Sequence, residues 1–458
     1  MNATSATSIA TMAGARIVSG SESVLIKRVV TDSRIVEPGD LFVALKGPQF
    51  DAHTFISDVT DRGVSAVLVD QEVVSTTTVI RVDNTLTGLQ KLAANYRERL
   101  KCHVVGITGS NGKTSTKDFA AAVFASERAV IKTQGNLNNH IGLPLSVLSI
   151  DDSHEVAILE MGMNHAGEIA PLAAIAQPHV AIITNIGTAH IEFLKTRDAI
   201  AAEKSELAKA VAKDGVVILN ANDAYTPEIA KLCRARVVTA GIDVGDVVAT
   251  DLFTETNGTI FKISFESQSI QAFLPIPGQH MVANAVLAVA AGLTSGISLQ
   301  AAVDALAKCE LTSGRLQSKD IGGIRFIDDT YNANPDSMLA ALITLNDVET
   351  SGKRIAVLGA MGELGEFAEE GHRKVGAATK VVDLLITVGD TAEWIADEAE
   401  KSGTAQVIRV ADTAQASAAL LSLLKPGDCV LVKGSRSARM EQVINELVIS
   451  LQPNSLKS

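Results

Sequence analysis

The amino-acid sequence predicts an α/β protein of three domains built largely on parallel sheets. Three observations carry that reading. Short apolar runs recur along the 458 residues, most of them ending in Gly, Asn, Asp or Thr. Alanine-rich segments of helical pattern separate these runs, and continuously apolar strands that alternate with helices belong to parallel sheets covered on both faces. The length is enough for roughly two to four units, each with its own core.

Taken in order, the first clear strand is SAVLVD (65–70). It closes the segment TDSRIVEPGDLFVALKGPQFDAHTFISDVTDRGVSAVLV (31–69), a small α/β unit. Ser33, Arg34, Lys46 and His53 in this segment supply donors suited to a nucleotide-sugar. A break near 82 precedes the helix NTLTGLQKLAANYRER. Strands HVVGIT (103–108), EVAILE (155–160), HVAIIT (179–184) and GVVILN (215–220) follow, as a mostly parallel central sheet requires. Residues 247–274 alternate apolar and polar around Asn257-Gly258, which predicts an antiparallel hairpin with a tight turn. The apolar run around 285–293 is too short to span a bilayer and reads as a buried helix. A second break, near 314 at LTSGRL, opens a new strand–helix series: IRFID (324–328), RIAVLG (354–359), LLITVG (384–389) and CVLVKG (429–434). This last series is Rossmann-like. The expected units are 1–82, 83–313 and 314–458.

Composition narrows the function classes. Hydrophobic content of 47% and charged content of 20% are ordinary for a globular protein. A net charge of −12 argues against nucleic-acid binding through a general basic field, although a small anion needs only local donors. Cys102, Cys233, Cys309 and Cys429 are far apart with no CxxC pair, which fits a reducing cytosol rather than a zinc site or disulfide framework. No basic start followed by an apolar core marks a signal peptide. A cytoplasmic monomer without a membrane span is expected.

The chemistry concentrates just beyond strand ends, where open α/β sheets bind ligands. GITGSNGKTSTKDFA (106–120) runs from strand through glycine-rich turn to helix start, the setting of a phosphate-binding P-loop. Its spacing is unusual, because Ile107 occupies the place of the first glycine and the loop is one residue longer than the common form. Gly109, Ser110, Asn111, Gly112 and Ser115 would cradle the phosphates, Lys113 would reach the terminal ones, and the Thr114 hydroxyl would bind Mg²⁺. Glu160 in EMGMN (160–164) is a further metal candidate. His190 in TNIGTAHIE (184–192) reads by itself as a hydrogen-bonded structural group, and Glu203-Lys204-Ser205-Glu206 as a solvated helix face. Asn284 in PGQHMVANAVLAVAAG (277–292) either caps its helix or meets the nucleotide. Arg315 stands at the second break, and FIDDTYNANPDSM (326–338) offers Asp329 for a ribose hydroxyl with Tyr331 and Asn332 beside a base.

The loop TGSNGKTS, in order with these later segments, resembles the Mur ligase family of ATP-dependent amide-forming enzymes. The resemblance covers nearly the whole chain and implies ATP between the second and third domains. It places Glu160 and His190 at metal positions, and implies a carbamate on Lys204 that helps hold a second Mg²⁺. It also implies that the first domain holds the UDP end of a UDP-N-acetylmuramoyl peptide, which disfavours the related folylpolyglutamate synthases. Two segments narrow the family further. TQGNLNNHIGLPLSVL (133–148), with Asn136, Asn138 and Asn139, resembles the branch that adds D-alanyl-D-alanine to UDP-N-acetylmuramoyl-tripeptide. KGSRSARMEQVI (433–444) places Lys433, Arg436 and Arg439 at a helix start suited to an anion. GAMGELGEFAEEGHRKVG (359–376) fits the same branch, and the D-N-P-R segment of the diaminopimelate-adding branch is absent. The expected reaction makes an acyl phosphate on the tripeptide carboxylate, which the dipeptide amine then displaces. The competing readings are another amino-acid-adding ligase of the family and a P-loop kinase or nucleotide switch.

Overall fold

The computed structural model describes residues 1–255 and 257–451, so the last seven residues of the expected third unit lie outside the described ones. The fold is mixed α/β with three main sheets, as the sequence predicts. The N-terminal sheet has five strands in the order Arg16–Ser19, Thr78–Arg81, Ala66–Val69, Asp40–Val43, Arg28–Val30. Its pairings are parallel except for the first strand, which runs against Thr78–Arg81.

The central sheet has nine strands, and six of its strand pairings, from Val130–Lys132 across to Val247–Glu255, are parallel. Every residue of Val156–Glu160 and Val180–Ile183 is buried, as expected for strands that helices cover on both faces. Residues 247–274 do not form a lone hairpin. They make a three-strand antiparallel meander whose first strand, Val247–Glu255, pairs parallel with Arg236–Ile242 and so extends the central sheet. The alternating pattern reports this edge position, where one face meets the core and the other meets solvent. The apolar segment around 285–293 lies in the buried helix Gln279–Thr294, which packs on helix Lys113–Ala125. Among the described residues no helix is long and apolar enough to cross a membrane.

The third sheet has six strands, in the order Gln317–Ile321, Ile324–Asp329, Cys429–Lys433, Arg354–Gly359, Leu384–Val388, Val407–Val410. All its pairings are parallel except the first. What matters for function is where the strands stop. Glu160 lies opposite Ile107, and Ile183 opposite Thr108, so three neighbouring central strands end at one level. Their following loops therefore meet in one crevice, facing the ends of Ile324–Asp329 and Cys429–Lys433.

Candidate active site

That crevice is a cleft of about 1700 Å³. Its walls include residues 110–115 of the glycine-rich loop, 136 and 138–140, Glu160, 185–190, Asn284, Arg315, 331–334 and Lys433.

The loop after strand His103–Thr108 is held by its neighbour. Ser110 N donates to Asn185 O at 2.9 Å, Asn111 N to Asn185 Oδ1 at 3.0 Å, and Gly187 N to Ser110 Oγ at 2.8 Å. Gly112 has φ +79°, and a Cβ there would run into the Asn284 side chain, so the backbone needs glycine on both counts. Asn284 is thereby placed: buried, more than one turn into its helix, with its amide against the loop rather than at a cap. Lys113 Nζ donates to Gly109 O at 2.8 Å and Ser110 O at 3.4 Å.

Glu160 ends its strand buried, with both carboxylate oxygens engaged. Thr114 Oγ1 donates to Oε2 at 2.9 Å, and Asn138 Nδ2 donates to Oε1 at 2.8 Å. The phosphate loop and the 133–148 segment thus converge on one carboxylate. Asn139 has a local task, since its Oδ1 accepts from Ile141 N and Gly142 N at the start of helix Gly142–Leu148. Asn136 lines the cleft.

Lys204 is 1% exposed, on helix Arg197–Ala210, and its Nζ donates to Gly109 O at 2.9 Å. Burial, and then the neighbouring Lys113, push its amine well below the ordinary lysine range. Glu203 accepts from Gly167 N and Ile169 N, both at 2.7 Å, which secures the start of helix Ile169–Ala176. The solvated helix face that composition suggests is therefore an inward one. His190, with φ +64°, has Nδ1 2.6 Å from Glu363 Oε2 of the third sheet's unit. Burial pushes the imidazole below its ordinary value against the pull of Glu363, while the contact with His190 holds the Glu363 carboxyl below its own.

Across the cleft, the Arg315 guanidinium stacks over the Tyr331 ring at 4.3 Å. Lys433, 2% exposed, binds Asp329 Oδ2 at 2.6 Å and Asn332 O at 3.0 Å. Its charge is thus spent on a neighbour expected to meet a ribose. Arg436 N donates to Asn332 Oδ1 at 3.4 Å, and its guanidinium faces Glu441.

The four N-terminal candidates are not part of the cleft wall. Arg34 pairs with Asp32 at 2.6 Å, Ser33 O accepts from Arg62, and Lys46 lies 3.8 Å from Asp51. The buried His53 ring has both nitrogens taken, Nδ1 at 2.6 Å from Asp51 Oδ1 and Nε2 accepting from Asp70 N at 3.3 Å, so it ties its loop to the end of strand Ala66–Val69. Sequence reasoning assigned no role to Asn334, Asp336 or Glu363, although all three stand inside quoted segments. Asn334 Nδ2 donates to Asn111 Oδ1 at 2.7 Å, and Asp336 Oδ2 accepts from Thr188 N and Oγ1.

The donor set suits a hard cation at one position. Thr114 Oγ1 and Glu160 are adjacent oxygens, the type Mg²⁺ takes alongside phosphate and water. Among the described residues there is no group of three His, Cys, Asp or Glu that could hold a metal by itself.

Comparison with known proteins adds the following. Three family models match the chain: "Mur ligase family, catalytic domain" over residues 25–97, "Mur ligase middle domain" over 107–292 and "Mur ligase, glutamate ligase domain" over 314–436. The UDP-N-acetylmuramoyl-tripeptide–D-alanyl-D-alanine ligase of Bacillus subtilis (strain 168) is 39% identical over 439 residues, 94% of each chain. The crystal structure of MurF from Acinetobacter baumannii superposes with a TM-score of 0.91 at 33% identity, covering 98% of this chain and 99% of that one. The MurF ligase of Thermotoga maritima, solved in complex with ADP, gives 0.85 at 31% identity, covering 94% and 99%.

Proposed function

The chain belongs to the Mur ligase family, and we propose that it joins D-alanyl-D-alanine to the terminal carboxylate of UDP-N-acetylmuramoyl-tripeptide with conversion of ATP to ADP and phosphate. The observation that carries this reading is the Glu160 carboxylate, clamped between Thr114 of the phosphate loop and Asn138 of the 133–148 segment. One buried acid thereby ties the nucleotide's loop to the segment that resembles the D-alanyl-D-alanine-adding branch. Relatives of that name match over nearly the whole chain.

In this reading the loop amides of residues 109–115 and Lys113 hold the triphosphate, with Asn284 and Arg315 beside the phosphates, while Asp329, Tyr331 and Asn332 surround the nucleoside. A tripeptide carboxylate oxygen attacks the γ-phosphorus, the bond from phosphorus to the β–γ bridging oxygen breaks, and ADP departs. The amine of D-alanyl-D-alanine then adds to the acyl carbon and loses a proton, and the bond from that carbon to the phosphate oxygen breaks. Two unit negative charges about 4 Å apart repel by roughly 4 kcal/mol at an effective dielectric near 20, so the first step needs nearby cations. Lys113 supplies one, and Mg²⁺ held by Thr114 and Glu160 would offset more of the charge.

A second Mg²⁺ position needs an oxygen donor that His190 does not offer. Lys204 would provide it as a carbamate: the neutral amine forms a nitrogen–carbon bond to CO₂ and releases one proton. Its burial and depressed basicity support this, because only an unprotonated amine can react. Arg436, with Asn136 and Asn138, forms the peptide side, which Lys433 supports through Asp329 and Asn332 and Asn139 through the start of helix Gly142–Leu148; Ser33, Arg34, Lys46 and His53 belong to the unit assigned to the UDP end. The three separate sheets support units at 1–82, 83–313 and 314–458. The location is proposed to be cytoplasmic and the protein monomeric.

Two measurements test the reaction. Mass analysis after incubation with UDP-muramoyl tripeptide, ATP and D-alanyl-D-alanine should show the pentapeptide. Tripeptide labelled with ¹⁸O in its terminal carboxyl should pass label to inorganic phosphate. Product without label transfer would rule out the acyl phosphate.

A further inference from the structure

The segment Asn334-Pro335-Asp336 reaches from the third sheet's unit across the cleft and touches two loops of the central unit. Asn334 Nδ2 donates to Asn111 Oδ1 at 2.7 Å, on the phosphate loop. Asp336 Oδ2 accepts from Thr188 N at 2.8 Å and from Thr188 Oγ1 at 2.9 Å. The segment that does this is stiff. Asn334 and Ser337 form a reciprocal capping box at the start of helix Pro335–Asp347, with Pro335 as its first residue. The carboxylate therefore projects from the first helical turn, where an anion is favoured. Opposite it stands Gly187, where a Cβ would come within 2.5 Å of Asp336 Oδ2, so the carboxylate lies against bare backbone.

Thr188 sits two residues before His190, and Gly187 N is bonded to Ser110 Oγ of the phosphate loop. A single carboxylate from one unit thus fixes the loop of another that bears a catalytic candidate. We propose that Asp336 is a positioning residue for the ligase reaction: by clasping Thr188 it holds the C-terminal unit closed over the nucleotide. In that closed arrangement it sets the 184–190 loop against the phosphate loop. This rests on the reading that the cleft takes ATP, and not on which amine is the acceptor.

The test uses the full chain with Asp336→Ala, Asp336→Asn, Gly187→Ala and the double variant Gly187→Ala/Asp336→Ala. Asp336→Ala should lower kcat for phosphate release by roughly ten- to a hundredfold, as a small misplacement of reacting groups does. KM for UDP-muramoyl tripeptide should not change. Small-angle scattering with a non-hydrolysable ATP analogue should then give a larger radius of gyration than the parent. Asp336→Asn keeps a carbonyl oxygen that can accept both Thr188 donors, so it should stay close to the parent in both readouts. Gly187→Ala should resemble Asp336→Ala, and the double variant should be no slower than Asp336→Ala alone. Parental kcat in Asp336→Ala would overturn the proposal. So would an Asn variant as slow as the Ala one, a kcat loss at the parental radius, or a double loss equal to the product of the single losses. Because the scattering needs no acceptor, a chain that closes on the analogue yet makes no pentapeptide would refute the acceptor assignment and leave the clasp standing.

Discussion

At the scale of single residues, the site is organised by side chains that hold one another. Asn138 shows this most directly, since its amide donates to the buried Glu160 carboxylate opposite Thr114. A hydrogen bond to a charged group is worth about 1.5–3 kcal/mol, so Asn138→Ala should cut kcat/KM for ATP roughly ten- to a hundredfold. It should also raise the Mg²⁺ concentration needed for half-maximal phosphate release, and an unchanged requirement would separate Asn138 from the metal position. Lys204→Ala should abolish turnover, with partial recovery on adding short carboxylic acids that can occupy the place of the proposed carbamate. Turnover at the parental level would remove the carbamate from the mechanism. Single residues are legible in the sequence where loop chemistry sets their position, as at Lys113 and Glu160, which both line the cleft. They are less legible where burial decides. Nothing in Glu203-Lys204-Ser205-Glu206 says that three of the four side chains point inward, and only the packing of helix Arg197–Ala210 reveals it. His53 is the opposite case, a ligand donor by type whose two ring nitrogens are taken by Asp51 beside it and by Asp70 N just after strand Ala66–Val69.

At the scale of elements, helix Lys113–Ala125 connects stability to function, because the residues that start it also line the cleft. Phe124 lies near its far end with no exposed surface. Phe124→Ala removes a ring from a closed core and should destabilise the central unit by about 3–5 kcal/mol, read as a lower denaturant midpoint. Strand starts carry a different sensitivity. The His103 and His179 rings stack with centroids 4.8 Å apart, and His179 Nδ1 accepts from Val104 N at 2.9 Å, so it carries no proton there. Burial first, then His179, pushes His103 down from 6.5 to about 4. The unfolded chain therefore binds more protons than the folded one between those values. Stability from this pair is complete above about 6.5 and should be lost as pH falls towards 4. Thermal unfolding followed across that window should show a shallower decline in His103→Gln, and an equal slope would exclude the pair as the cause. Elements such as these were legible in the sequence because a buried parallel strand is apolar throughout and its loop begins with Gly, Asn or Thr. The meander at 247–274 was legible as antiparallel pairing, but its attachment to the central sheet was not, since Val247–Glu255 joins Arg236–Ile242 through backbone bonds that any sequence can make.

At the scale of the whole molecule, the contacts that close the cleft join residues hundreds of positions apart, as Asn111 and Asn334 do. No local pattern encodes such pairs, and for that reason the sequence alone assigns Asn334, Asp336 and Glu363 no role. The connection between the units is more informative. Thr312 donates through N and Oγ1 to Asp118 Oδ2 at 2.9 and 2.7 Å, which pins the end of the linker to the phosphate-loop helix. Just beyond, Gly314 and Leu316 both take positive φ, +75° and +50°, and Arg315 lies between them. The chain thus has a fixed point followed at once by a turn, and the arginine over Tyr331 is placed by both. Burial alone would raise the Asp118 carboxyl, but Lys117, Lys132 and Thr312 outweigh it and hold the group below its ordinary value, so it is an anion among cations. Replacing Asp118 by Ala strands the buried Lys117 and frees Thr312 together. Breaking a buried pair this way costs about 3–5 kcal/mol, and the loss should appear in denaturant unfolding. Limited proteolysis should then cut faster between residues 308 and 316, and kcat should fall because Arg315 is no longer held. KM for UDP-muramoyl tripeptide should stay constant, because the residues assigned to its UDP end belong to the N-terminal sheet's unit and not to the cleft wall beside Arg315. A linker that resists protease as well in Asp118→Ala as in the parent would mean that Asp118 is not the fixed point, and that the closure geometry is set by the cleft contacts alone.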